Sequence, residues 1–228
     1  LPSGQLQDVP AGTALTALEV ATPMIAISDN TAADHLIDRL GRENIEAALS
    51  VFGHGAPERN TPFLSTREFF LFKLAVSDAD TATYLAADVP AKRSFLETLA
   101  GQAPSLGDAA QWVAPRRVEE IEWFASANEL CQLMAALDVR SEQPGLEPIA
   151  QVLSRNPGLP IDAEFFPYIA YKGGSEPGVF NMTWLVHARS GARYFVSIGL
   201  NDASAPIADE TTAFRTALGI FDLIALED

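Results

Sequence analysis

Hydrophobic and polar positions change their period twice along this chain. From residue 14 to 26 apolar residues dominate at helix-compatible spacing, until Ser28, Asp29 and Asn30 interrupt them. Two amphipathic stretches follow, "TAADHLIDRLG" and "RENIEAALSVFG", each ended by a glycine, Gly41 and Gly53. Glycine suits a helix end because it enters the left-handed conformation without a Cβ clash. After a loop, Ser65 and Glu68 have the spacing of a capping box ahead of "FFLFKLAV", and Ser126 and Glu129 repeat it ahead of "LCQLMAAL". Residues 78–100 read as two short Ala-rich helices broken near Pro90, and residues 77–100 are the candidate for an extra helical piece and a lid. Residues 101–122 show no period and are expected to form a long ordered loop. "LEPIAQVLSR" predicts one more short helix before the breaker "NPGLP".

From residue 166 the period becomes two. "FPYIAYKGG", "VFNMTWLVHA" and "ARYFVSIGL" are aromatic and β-branched, and "RSG" between the last two is a hairpin turn signal. Phe180, Met182, Trp184 and Val186 alternate with Asn181 and Thr183, as one buried face of a strand requires. The chain closes on "DETTAFRTALGIFDLIAL", an amphipathic helix able to lie on that sheet. Helices first, then consecutive antiparallel strands, then a helix, make an α+β fold with helices segregated from the sheet. The expected organisation is a single domain over 1–228, mainly helical in 1–160, with strands and the C-terminal helix in 161–228.

Composition narrows the partners. Of 228 residues, 48% are hydrophobic and 20% charged, which supports a packed core. The formal net charge is −15, a field that repels phosphate backbones and anionic lipid, so neither nucleic acid nor a membrane surface is expected. No apolar run reaches the roughly 18 residues of a membrane span. Cys131 is the only cysteine and lies in a helical run, where a small buried hydrophobe is the default. His35, His54 and His187 fit no metal-ligand spacing, so neither a metal nor another cofactor is expected. Trp112, Trp123 and Trp184 read as packing residues.

Two segments carry chemistry. Ser28, Asp29 and Asn30 precede a helix, and taken alone they are N-cap residues, whose side-chain oxygens accept from orphan N–H groups. Lys172 closes a predicted strand and is followed by Gly173 and Gly174, so a ligand can approach bare backbone beside an ammonium group. Taken alone that is a solvated lysine before a turn.

Together, Ser-Asp-Asn before a helix and Lys-x-Gly on a distant strand match two of the three motifs of the penicillin-recognising serine enzymes. "MIAISDNTAADHLIDRLG" and "TPFLSTREFF" also resemble helices of class A-like β-lactamases. The chain therefore resembles the serine β-lactamase/penicillin-binding protein-like superfamily, from about residue 14 onward and least across 77–122. The resemblance implies a β-lactamase/transpeptidase-like fold and acyl transfer on a small-molecule substrate, a β-lactam, amide or ester. It implies that Ser28 relays a proton toward the leaving group and that Asn30 binds the substrate amide carbonyl. Asp29 would be structural. Lys172 would supply charge for the substrate carboxylate, and Gly173 and Gly174 would line the site. The backbone N–H of Ser175 would be one of two oxyanion donors. Export from the cytoplasm is expected by the same analogy.

The third motif is missing. The lysines are Lys73, Lys92 and Lys172, preceded three positions earlier by Phe70, Val89 and Ile169, so no Ser-x-x-Lys nucleophile is present. The start at "LPSGQLQDVPAG" without Met suggests an N-terminally incomplete piece, and loss of catalysis is the alternative. Either way, this chain alone is expected to be inactive. Gly173 stands where the family usually has Thr or Ser, which removes a hydroxyl donor for the substrate carboxylate; Ser175 is the nearest replacement in sequence. In place of the Glu-x-x-Leu-Asn motif of class A enzymes stands "RRVEEIEWF", offering Glu119, Glu120 and Glu122 as candidate bases. The rival functions are a D-alanyl-D-alanine carboxypeptidase or penicillin-binding protein, and a non-catalytic module that keeps the cleft.

Overall fold

The computed structural model describes residues 3–227. Helix α1 (Ala17–Ala26) begins in a capping box made by Thr16 and Glu19, and α2 (Asn30–Leu40) is N-capped by Asp29. Gly41, at φ +83°, turns the chain directly into α3 (Arg42–Val51). The Ser65–Glu68 capping box starts α4 (Thr66–Leu74), and Glu68 also takes Arg42 Nη2 at 2.8 and 3.0 Å.

The next two helices are α5 (Asp78–Ala86) and α6 (Val89–Thr98). The break between them falls at Ala87 and Asp88. Pro90 sits inside the first turn of α6, where its missing N–H has no helical partner to lose, and Asp88 accepts from Ala91 N to cap that helix. Tyr84, Leu96 and Leu99 from this pair are buried against Phe69, Leu71 and Phe72 of α4, a second core rather than a loose cover. The expected loop over 101–122 contains a six-residue helix, α7 (Leu106–Gln111), opened by Ser105. Helices α8 (Ala127–Ser141), started by the Ser126–Glu129 capping box, and α9 (Pro148–Leu153) complete the helical part.

The sheet is antiparallel, in the order β1 (Tyr168–Glu176), β2 (Val179–His187), β3 (Arg193–Asn201). Lys172 pairs with Thr183, and Thr183 with Ser197. The final helix, α10 (Glu210–Glu227), covers one face. Phe180, Met182, Trp184 and Val186 point to that side and pack with Ala213, Ala217 and Phe221. On the other face Ala170 and Leu185 meet Met134 of α8 and Leu153 of α9. Thus β2 is buried on both faces, and Trp184, Leu185 and Val186 are fully enclosed. Burying side chains of this size is worth about 1.5–3 kcal/mol each, which makes β2 the fixed axis of the fold. Strand β1 is an edge, so its outer row of backbone groups faces the helical part without a strand partner.

Candidate functional site

Helix α1 cannot continue past Ile27, because Ser28 adopts a left-handed conformation at φ 55°. The turn is held from below. Asp29 is almost fully buried, and its carboxylate accepts from Ala32 N at 2.9 Å, Gln5 N at 2.6 Å and Leu6 N at 2.9 Å. Burial pushes the Asp29 pKa up, but backbone donors at Leu6, Ala32, Gln5 and Thr31 outweigh it and hold the carboxyl below the usual range. Gly4, at φ +117°, is forced by this docking, since a Cβ there would lie 2.3 Å from the Asp29 carboxyl.

Asn30 donates from Nδ2 to Ser3 Oγ at 2.7 Å, and Ser3 Oγ donates to Ser28 O at 3.0 Å. From the far side, Thr66 Oγ1 lies 3.0 Å from Asn30 O and 2.7 Å from Asp34 Oδ1. Asp34 also accepts from Thr66 N at 2.6 Å and Arg67 N at 3.1 Å, so a carboxylate on α2 caps α4. The polar corner is therefore gripped by the N-terminal segment, by α2 and by α4. Ser28, whose side chain takes no part in this bracing, is exposed.

The Ser28 hydroxyl meets Lys172. The Lys172 Nζ donates to Ser28 Oγ at 2.7 Å, across 144 residues of sequence, and also to the carbonyl of Gly173. No carboxylate pairs with this ammonium among the described residues. Burial, with no compensating charge, lowers the Lys172 pKa. Gly174 and Ser175 are exposed on the edge strand, and nothing lies within 4 Å of where a Gly174 Cβ would be. The arrangement is a cation touching a hydroxyl, beside open backbone that a ligand can reach.

Glu119, Glu120 and Glu122 do not share this corner. The first two are exposed. Glu122 reaches Lys73 of α4, whose Nζ lies 2.6 Å from Glu122 Oε1, 2.8 Å from Glu176 Oε1 and 2.7 Å from Arg116 O. The Lys73 side chain is fully buried, and Glu176 is 8% exposed, with its Oε2 unpartnered. Burial foremost, then the hydrogen bond and charge of Glu122, raise the Glu176 pKa against the opposing pull of Lys73. Phe69 and Trp112 face the same ammonium at 4.9 and 5.7 Å. This cluster ties the loop after α7 to the end of β1.

Two cavities of about 300 and 340 Å³ open around residues 58–64 with 119–124 and around 108–116, and neither is lined by Ser28 or Lys172. Among the described residues no group of three His, Cys, Asp or Glu is placed to hold a metal ion, and no helix is long and apolar enough to cross a membrane. Cys131 is partly buried on α8, and burial raises its thiol pKa. Asp34, Thr66 and Ser3, which brace the corner, have no mark in the sequence beyond being polar.

The model of a beta-lactamase enzyme family matches residues 2–219 of the chain. The protein belongs to that beta-lactamase enzyme family. Among solved structures it is similar to a beta-lactamase from Sphaerobacter thermophilus at 18% identity and TM-score 0.54, covering 97% of this chain and 66% of that one. A beta-lactamase from Streptomyces albus G is similar at 12% identity and TM-score 0.57, covering 96% and 68%. PBP-A, solved as an acyl-enzyme complex with penicillin G, is similar at 18% identity and TM-score 0.53, covering 97% and 66%. At these identities the likeness is one of fold. The chain spans about two thirds of the length of these neighbours. Among curated proteins, none matches it. The beta-lactamase fold, with its antiparallel sheet between helical layers, is thus shared over nearly the whole chain.

Proposed function

We propose that this chain carries the substrate-binding and proton-relay part of a serine acyl-transfer hydrolase acting on β-lactams or related small amides and esters. The observation that carries the reading is the 2.7 Å contact between Lys172 Nζ and Ser28 Oγ, made by a cation that no carboxylate neutralises among the described residues. An unpaired, partly desolvated ammonium favours an anionic ligand, because a carboxylate supplies the missing counter-charge. With Nζ donating to Ser28 Oγ, the serine's own O–H is free to donate. As the amide bond breaks, the leaving nitrogen takes the Ser28 proton and Ser28 takes one from Lys172, whose lowered pKa eases that transfer. Asn30 orients the substrate amide, Asp29 holds the turn, and Gly173, Gly174 and Ser175 border the acyl group, with Ser175 N–H as an oxyanion donor.

On this reading no residue of this sequence is the acylating nucleophile, since no Ser-x-x-Lys occurs in it. Glu122 is engaged by Lys73, and Glu119 and Glu120 face solvent, so the reading gives none of them the role of deacylating base. The missing nucleophile also favours a second reading, a binding module that retains the cleft. The test is incubation with a fluorescent penicillin followed by intact-mass analysis. This chain should form no adduct, while a longer product of the same reading frame that contains Ser-x-x-Lys should form one. A covalent adduct on this chain would refute the assignment. A longer product that binds without acylation would favour the module. Rapid deacylation of the adduct marks a β-lactamase, slow deacylation a penicillin-binding protein.

A further inference from the structure

Glu119 and Glu120 have no place at the Ser28 corner, yet both border the cavity of about 300 Å³ between residues 58–64 and 119–124. Small-molecule sites combine apolar walls with a few polar groups, and this cavity has both. Leu64, Leu85, Ile121 and Trp123 supply the apolar surface. It is braced before any ligand arrives. Trp123 donates from Nε1 to Leu64 O at 3.0 Å and stacks on Phe69, with centroids 4.6 Å apart. Arg59 lies over the Phe124 ring at 3.7 Å and donates to Glu119 O at 3.4 Å. Asn60 accepts from Phe124 N at 2.8 Å and donates to Phe124 O at 2.9 Å, which locks the loop to the 3-10 turn that precedes Pro62.

Tyr84 of α5 and Lys92 of α6 form the helical side. Tyr84 is only 5% exposed, and its phenol has no hydrogen-bond partner among the described residues, although its oxygen is not sealed from solvent. Burial foremost, then the charge of Glu68, raise its pKa, so the O–H stays a donor. Lys92 Nζ sits 5.6 Å from the centre of the same ring. Among the described residues no carboxylate pairs with Lys92, and no cation pairs with the exposed Glu58, Glu119 or Glu120 on the loop side. Opposite charges thus line one cavity without reaching each other. A lone anion would meet three carboxylates in a chain of net charge −15, and a lone amine would leave Lys92 and the phenol unused. A ligand carrying both charges satisfies both sides.

We propose that this cavity binds a zwitterion with apolar side chains, of the class of a short unblocked peptide. Its carboxylate accepts from the Lys92 ammonium and the Tyr84 phenol, since one carboxylate takes several hydrogen bonds. Its ammonium meets Glu119 and Glu120, and its side chains cover Leu64, Leu85 and Ile121. Neither Ser28 nor Lys172 lines the cavity, so this binding is independent of the acyl-transfer reading.

The test titrates the dipeptide leucyl-phenylalanine into this chain, beside its N-acetyl and C-terminal amide forms, with the Trp123 indole N–H followed by NMR. The free dipeptide should shift that signal saturably, and each blocked form should bind about tenfold more weakly. Lys92→Met should erase the preference over the amide, and Glu119→Gln combined with Glu120→Gln the preference over the N-acetyl form. Tyr84→Phe should weaken the free dipeptide roughly threefold, and Lys172→Met should leave its affinity unchanged. Equal affinity for the three forms, or no saturable shift, would overturn the proposal. Loss of binding in Lys172→Met would place the peptide at the Ser28 corner and overturn it equally.

Discussion

Lys73 and Lys172 are both withdrawn from water beside strand β1, but they are partnered in opposite ways. Lys73 is fully enclosed and holds the Glu122 carboxylate, the Glu176 carboxyl group and a carbonyl. Among the described residues, Lys172 donates only to a hydroxyl and a carbonyl. A buried cation with its counter-charges in place is a fastener, and removing it strands the partners it neutralised. A buried cation without counter-charge is held ready for an anion from outside. Residues four apart on one strand, Lys172 and Glu176, thus mark where β1 passes from a ligand-facing end to a structural one.

Four measurements test the contrast between the two lysines. Lys73→Met should be the most damaging, about 3–5 kcal/mol of stability, because Glu122 loses the cation that neutralises it while Glu176 and the Arg116 carbonyl lose a buried donor. Differential scanning calorimetry should then show Tm lower by roughly 10 °C, since about 2–4 °C per kcal/mol applies to a chain of this size. A loss of a degree or less would deny Lys73 its role as fastener.

Glu176→Gln comes next, read through pH. Burial and the neighbouring Glu122 raise the folded-state pKa of Glu176 to about 9, well above the ordinary carboxylate range. The folded state therefore keeps a proton that the unfolded chain releases. That stabilisation is complete below the unfolded pKa and fades as pH rises toward the folded one. Urea midpoints should fall from pH 5 to 9 in the parent by the equivalent of about 2 kcal/mol, and Glu176→Gln should flatten the slope. An unchanged slope would show that Glu176 is not the titrating group.

Lys172→Met should alter stability by no more than about 1 kcal/mol in either direction, because relief from burying a lone cation offsets the two lost hydrogen bonds. A loss as large as that of Lys73→Met would erase the contrast between the two lysines. Smallest of all, Glu119→Gln and Glu120→Gln should stay within about 0.5 kcal/mol of the parent in urea denaturation, as exposed positions do.

Much of the fold was legible because local chemistry and global packing agree. Ser65 with Glu68, and Ser126 with Glu129, announce helix starts that the structure keeps. The alternation of Phe180, Met182, Trp184 and Val186 marks the face that α10 covers. Helix α7 escaped because six residues, one of them Gly107, are too few to show a period. The Lys73 cluster could not be read at all. Its lysine and Glu176 are 103 positions apart, and its residues look like an ordinary helix lysine and a solvated charge run. Motifs expose residues adjacent in sequence, whereas Asp34, Thr66 and Ser3 act on the corner through contacts that only folding creates.

The backwards twist at Ser28 has a thermodynamic consequence. A side chain with a β-carbon is strained at φ 55°, by about 1 kcal/mol or somewhat more, and glycine would relieve it. Ser28→Gly should therefore melt at a higher temperature than its parent while surrendering the contact with Lys172. A sturdier variant lies one substitution away, and this corner stays tense to keep its hydroxyl where it is.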